Sequence, residues 1–487
     1  MKLLIKFVLL ALGVCVKARD PDRPVCIVGA GPAGLSAAAE LELKGYRTVT
    51  FEKQSAVGGK CQAVYENSTF SPLGALIFTP PTYRESIKLL LKTGVTSVPF
   101  VSGEKWQYNA SSGSIWAKPP YPPAGDATLH ARGAEIRGLV EQELCPLQYC
   151  PGVSSEYHGT VSLPGRQLIA RSSMAFPPEL TVPAAEWLAR NGYQTLQAAF
   201  VQSMVAYGYG DYRQVPIVYM LQYLTPPVLM TLLKVQQGSM IEIADFHRAL
   251  QIFADRFIAG EIHLDTTISH IDRTGESPII TYQTSSDSTL QTQSCAALIL
   301  AFPPILSSLQ SAGLDLTDEE REVFTPVGTH SFYSGAVRLS TPHTMTFGAA
   351  SAHPGLPPDA TGDPVVFTKL HGDLDIAITS SWGPYRGNLT RDEAYARLKS
   401  TLSAFNKDPR DAGVSAGAVN DEDVLAFQEN EYFPHYDTQQ LREGYYELFE
   451  GLQGQKGTYY ASGFNMFELV EYALRAGQDV ARRFSNL

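Results

Sequence analysis

Cysteine is scarce in this chain: six residues in 487, and none after Cys295. No two of them stand at zinc-ligand spacing beside histidines, so the pattern supports no metal site. Beyond residue 18, no stretch is long and apolar enough to cross a bilayer. Positive charge is also in short supply, with 38 Lys and Arg against 49 Asp and Glu and a formal net charge of −11. Phosphate backbones and anionic lipid surfaces are held by basic patches, so this balance argues against a nucleic-acid or anionic-membrane partner. Only one dinucleotide fingerprint is present, which leaves no separate NAD(P)H site.

What is present has an ordinary globular balance, 44% hydrophobic and 18% charged. A length of 487 residues exceeds one compact core, so two intertwined domains are expected. Residues 1–18 have a basic start and an apolar centre and read as a secretory signal peptide cut after Ala18, although Lys6 interrupts the apolar region. Sequons at Asn67, Asn109 and Asn388 agree with passage through the secretory pathway. A secreted or lumenal location is the expectation. Cys26 belongs to the first strand and is expected as a buried thiol. Cys145 and Cys150 bracket a short loop and form either a local disulfide or two free thiols.

The chain is organised around Val25 to Lys53, VCIVGAGPAGLSAAAELELKGYRTVTFEK. An apolar run of strand length meets Gly29-x-Gly31-x-x-Gly34, which opens an Ala- and Leu-rich helical pattern ending near Gly45. Gly29 permits the tight turn, Gly31 lets a pyrophosphate approach the backbone, and Gly34 lets helix and strand pack closely. A second strand follows, and Glu52 at its end stands at the offset where a carboxylate takes a ribose hydroxyl. The unit reads as a βαβ site for an adenine dinucleotide.

Glu52-Lys53 is followed by Gly58-Gly59-Lys60, a second glycine turn that a simple NAD site does not need. On these residues the chain resembles the flavin amine oxidase superfamily, in which a Gly-Gly-Arg turn meets the pyrophosphate. Lys60 replaces that Arg with a point charge. Gly74 and Ala75 match the segment that runs beside the flavin ring, with Pro72 where an acid is usual. Ile268, in the alternating stretch 262–271, matches the residue that meets the adenine through its backbone. Ala297 to Pro304 resembles the strand and Pro turn that re-enter the flavin site. Gly463, Leu469 and Val470 fall in the strand, turn and helix that close it, and a helix starting near Phe467 would stabilise negative charge on the reduced ring.

The resemblance implies an α/β fold, with a Rossmann-like FAD-binding domain interleaved with an α+β substrate-binding domain. Residues 19–78, 241–310 and 431–487 form the FAD-binding parts, 79–240 a helical substrate cap and 311–430 the floor of the substrate cavity. In the cap, Tyr83 to Lys92 and Pro183 to Tyr207 read as helices. Residues 118–125 read as a stiff connector, and Tyr207, Tyr209, Tyr212, Tyr219 and Tyr223 either line a cavity or fill a core. Residues 243–258 and 391–405 are also helical, and 332–339, 365–370 and 375–380 are β-rich.

Flavin supplies the chemistry and the protein supplies orientation and electrostatics. With no NAD(P)H site, electrons come from a small organic substrate, and dioxygen is the expected acceptor. Three departures weaken an amine oxidase reading. Leu469 stands where those enzymes place one wall of an aromatic amine cage, the strand 330–339 has no Lys, and the absence of Cys after Cys295 precludes a carboxy-terminal thioether link. Noncovalent FAD is expected. The Gly-Gly-Lys turn, the Pro72 segment and the FELVEYA ending resemble fungal secreted flavoproteins of the β-cyclopiazonate dehydrogenase type, which act in secondary metabolism. A related branch, polyenoic fatty acid isomerases, takes hydride from one carbon and returns it at another. A flavin-binding protein without turnover is the remaining alternative. His330, Tyr333, Tyr432 and His435 flank the re-entry points and are candidates for acid-base roles, alongside a structural reading of each.

Overall fold

The computed structural model describes residues 23–80, 82–100, 103–118, 176, 178–192, 204–223, 241–351 and 361–484. The expected signal peptide, residues 119–125 of the connector, and Cys145 and Cys150 lie outside them.

The nucleotide half is built on a five-stranded parallel sheet. Its order is Glu261–His263, Thr48–Phe51, Val25–Val28, Ala297–Leu300 and Thr458–Tyr460. A parallel sheet is covered on both faces, which is why its central strands VCIV and ALIL have no polar side. The dinucleotide helix Pro32–Leu43 and the closing helix Val470–Arg483 pack together over the sheet, sharing one core with Val25, Ile27, Ile299 and Tyr459. Ser36 Oγ donates to Leu474 O at 2.8 Å where the helices cross. A Cβ on Gly477 would lie 2.0 Å from Ala33 O, so only glycine permits this approach.

The expected Cys26 thiol is corrected by the structure, because Cys26 is bonded to Cys295. Strands Val25–Val28 and Ala297–Leu300 pair in parallel with Val25 opposite Ala297, which brings the two Cα atoms to 5.6 Å. Both cysteines are completely buried. Cys61 is the free cysteine among the described residues.

An antiparallel sheet of strands Thr266–Asp272, Ile279–Thr284 and Asp287–Ser294 joins the nucleotide half. It is pinned by Arg273, whose buried guanidinium reaches Asp315 at 2.6 Å and Glu320 at 2.6 Å, while Tyr460 Oη donates to Glu320 at 2.6 Å. A charge this deep is tolerated because two carboxylates and a carbonyl, Asp315 O, answer its N–H groups.

The second half rests on a seven-stranded sheet. Its order is Val424–His435, Gly328–Arg338, Ile376–Trp382, Val366–Thr368, Met345–Ala349, Glu104–Asn109 and Ser114–Ala117. Helix Arg391–Phe405 lies on one face, packed with Tyr108, Val337, Phe347 and Phe367. A reciprocal Thr390–Glu393 cap starts it at the expected residue. The last two strands come from within the 79–240 stretch, so that stretch also builds sheet.

Three other elements differ from expectation. Of the helix expected over 183–207, Ala184–Arg190 forms and stops at Asn191-Gly192, where Gly192 has φ +76°; residues 193–203 lie outside the described set, and 204–206 are again helical. Residues 243–258 divide into a strand, Glu242–Ala244, and a helix, Phe246–Phe257, because the Asp245 carboxylate accepts from Arg248 N and starts the helix there. The closing helix begins at Val470 rather than Phe467, since Leu469 is still extended. No helix among the described residues is long and apolar enough to cross a membrane.

Candidate functional site

The glycine turn forms a cradle at the carboxyl end of the central strand. Gly29 sits at φ +106°, and a Cβ on Gly34 would lie 1.9 Å from Gly29 O, so the helix can start this close to the strand only without a side chain there. Gly31 caps the helix with extended backbone and no side-chain bond, which directs the first-turn N–H groups toward an anionic ligand. The second turn closes over the first, with a Cβ built on Gly31 only 3.6 Å from Gly59 Cα.

Glu52 is buried and accepts from Ala30 N at 2.7 Å and Gln54 N at 2.9 Å. The carboxylate braces the glycine loop, and each oxygen keeps a lone pair for a ribose hydroxyl. Lys53 next to it is exposed. Among the remaining expected cofactor residues, Ala75, Leu469 and Val470 pack against the apolar cluster that holds Ala30 and Cys61. A Cβ on Gly74 would lie 1.7 Å from Lys60 O, and Ala75 follows it. Gly463 packs against Glu468, Leu469 is the N-cap of the closing helix, and Val470 is its first residue. Ile268 is buried in the antiparallel sheet opposite Tyr282.

Lys60 extends toward the other end of the chain. Its Nζ lies 3.1 Å from Glu468 Oε1 and 5.0 Å from the centre of the Tyr432 ring. Around this pair stands an aromatic wall. Tyr209 packs on Phe467 at 4.7 Å, on Tyr223 at 5.2 Å and on Tyr432 at 5.7 Å, and its hydroxyl donates to Glu468 O at 3.1 Å. Phe332 meets Tyr432 at 5.0 Å. Tyr432, Phe332 and Leu469 are part-exposed, whereas Tyr209, Tyr223 and Phe467 are buried behind them. The tyrosine run of the cap therefore divides: Tyr209 and Tyr223 stand behind the wall, while Tyr219 is core, its hydroxyl bonded to Tyr436 O at 3.0 Å.

Burial fixes the protonation of the wall. It raises the Tyr209, Tyr223 and Tyr432 hydroxyls above their usual range, and the Cys61 thiol beside Lys60 and Glu468 is pushed up to about 12. These groups are neutral near pH 7. The Lys60–Glu468 pair is what carries charge there.

Of the four acid-base candidates, Tyr432 alone joins this wall. The Tyr333 hydroxyl donates to Leu389 O at 2.7 Å and its ring stacks on Phe427. His330 and His435 stack on each other at 5.6 Å, with Phe433 4.3 Å from His435 and 4.9 Å from Phe467, between the histidines and the wall. His330 Nδ1 meets Gly383 O and His435 Nδ1 meets Phe433 O. Desolvation lowers the two rings to about 4 and about 3, so both are neutral packing groups. Glu468 is the residue that sequence reasoning passed over; it lies one position before Leu469, but nothing local distinguishes it from any other surface acid.

A two-turn glycine cradle, a bracing acid and a closing helix on a five-stranded parallel sheet, beside a sheet-floored second half, define an FAD-dependent oxidoreductase of amine oxidase-like architecture. Residues 27–93 match the family model of the NAD(P)-binding Rossmann-like domain. The FAD-dependent oxidoreductase dpasF of Apiospora sacchari is 24% identical over 92% of this chain and 89% of its own length. Among solved structures, a CLA-producing fatty acid isomerase from P. acnes superposes with a TM-score of 0.73 at 21% identity, over 96% of this chain and all of that one. Putrescine oxidase bound to putrescine gives 0.64 at 15% identity, over 96% and 99%.

Proposed function

We propose that the chain uses FAD to take a hydride from a carbon of an uncharged, unsaturated organic skeleton, and that it acts as a double-bond isomerase of polyunsaturated chains. Bound in the cradle, FAD supplies a two-electron acceptor that can also return the hydride. The observation that carries the reading is the aromatic wall whose one acid, Glu468, is already paired with Lys60. An ammonium substrate would need an uncommitted carboxylate or a complete aromatic cage, and Leu469 interrupts such a cage. Hydride loss from a carbon between two double bonds leaves a delocalised cation, which the part-exposed rings of Tyr432 and Phe332 are suited to stabilise. Return of the hydride at another carbon requires neither a proton acceptor nor an external oxidant. Neutral tyrosines and a neutral Cys61 suit that chemistry. The likeness in fold to the fatty acid isomerase supports the same reading.

A second reading, a dehydrogenase or oxidative cyclase of secondary metabolism with dioxygen as acceptor, is favoured by one atom. Glu468 Oε2 is buried without a hydrogen-bond partner, and forming a double bond by dehydrogenation needs a proton acceptor of that kind. The two readings separate in one experiment. Holoenzyme is incubated with polyunsaturated fatty acids in an oxygen electrode, and conjugated-diene absorbance is followed. Diene formation at constant oxygen supports the isomerase. Oxygen uptake with peroxide supports the dehydrogenase, and peroxide formed with an amine alone would overturn both.

We also place the mature chain in an oxidising compartment, on the signal-like residues 1–18 and the buried Cys26–Cys295 bond. Occupancy of Asn67 or Asn388, both exposed, by N-glycan in chain isolated from its natural source tests this.

A further inference from the structure

Lys60 and Glu468 meet where the two ends of the chain close on the cradle, Lys60 from the second glycine turn and Glu468 from the turn before the closing helix. Lys60 Nζ and Glu468 Oε2 are both buried and have no hydrogen-bond partner, although Nζ lies 3.1 Å from the other carboxylate oxygen. The pair is held in place from both sides. Gly74 packs on the Lys60 carbonyl, and a Cβ on Gly463 would lie 3.0 Å from Glu468 Oε2. The side chains as wholes are 25% and 14% exposed, and a partly desolvated ion pair with unanswered N–H groups and lone pairs gains little net stability from its attraction. Neutral Cys61 and the neutral tyrosines leave these two as the charges of the wall, beside the positive end of the closing helix.

We propose that Lys60 and Glu468 are a compensated charge pair that sets how readily the bound flavin accepts negative charge, Lys60 favouring the reduced ring and Glu468 opposing it. The inference rests on the FAD reading above and concerns the electrostatics of the cofactor rather than the choice of substrate. Charge arithmetic makes it specific: removing Lys60 leaves an uncompensated anion, and removing Glu468 leaves an uncompensated cation. The two losses act on the flavin with opposite sign.

The test is sulfite titration of holoenzyme, since sulfite adds to the flavin ring, leaves it negatively charged and bleaches its visible absorbance. K60M is expected to weaken sulfite binding about tenfold and E468Q to tighten it about tenfold. K60R should keep the wild-type constant, and the double variant K60M/E468Q should return close to it. Shifts of the same sign in both single variants, or shifts below twofold, overturn the proposal. Where K60M does not retain flavin, E468Q and K60R decide alone: a looser or unchanged constant in E468Q, or a tenfold loss in K60R, refutes it. If the wild-type chain itself binds no FAD, the proposed function fails. If it binds FAD but the variants are silent, that function stands and only this inference falls.

Discussion

The bond between Cys26 and Cys295 ties the first strand of the nucleotide sheet to a residue two positions before its neighbour, across 269 positions of sequence. Closing a loop of that length in the unfolded chain removes enough entropy to stabilise the fold by about 5 kcal/mol, the upper end of what disulfides deliver. Unfolding entropy is roughly 2 cal/mol/K per residue, so a cooperative unit of this size would melt about 5 °C lower without the bond. The comparison should use Cys26→Ala with Cys295→Ala, because serine would leave two hydroxyls unbonded in a fully buried site. Differential scanning calorimetry of wild type and the double variant gives the shift, and peptide mapping without reductant identifies the bond. A linked pair of peptides and a fall of several degrees are expected. Alkylation of both cysteines in unreduced, denatured chain, or a melting temperature unchanged to within 1 °C, would refute the reasoning.

Further outcomes follow from the same geometry. Glu52→Ala removes the acceptor of Ala30 N and Gln54 N and should weaken FAD retention at least tenfold, read by fluorescence of flavin released on dilution. Gly34→Val drives a side chain into Gly29 O and should give chain without flavin; a yellow holoprotein would contradict the close packing. Arg273→Met strands Glu320 and Asp315 and should cost about 3–5 kcal/mol, measured by urea unfolding. His330 and His435 titrate at about 4 and about 3 in the fold, against about 6.5 when unfolded. Between pH 6.5 and about 4 the unfolded chain therefore binds more protons, and stability falls as pH falls, by up to about 1.4 kcal/mol per unit for each ring. His330→Phe should flatten that slope, and an unaltered profile of melting temperature against pH would count against the assignment.

Local signals and long-range ones were legible to very different degrees. Gly29-x-Gly31-x-x-Gly34 and Glu52 could be read because strand, turn, helix and acid interact within thirty residues, and helix Arg391–Phe405, which starts at the equally local Thr390–Glu393 cap, falls over the expected residues. Asn191-Gly192 was an equally local stop inside the expected 183–207 helix, and the amphipathic pattern around it outweighed it. The Cys26–Cys295 bond and the Lys60–Glu468 pair carry no local signature, because each exists only once strands or turns hundreds of residues apart in sequence are brought together. Tyr333 and Tyr432 were both candidates beside the re-entry points, yet the Tyr333 ring belongs to the packing of Phe427, and alternation along an unpaired strand does not say which face looks at the cofactor.

The parallel sheet that carries the cradle draws its strands from Val25 at one end and Tyr460 at the other, with the closing helix laid over the dinucleotide helix. Translation runs from the amino terminus, so the glycine turn leaves the ribosome hundreds of residues before the strand and helix that complete its surroundings. The cradle is therefore complete only late in synthesis, and a chain cut before the final helix is expected to hold no flavin. A prematurely terminated message would accordingly yield no partial flavoprotein, only material for degradation.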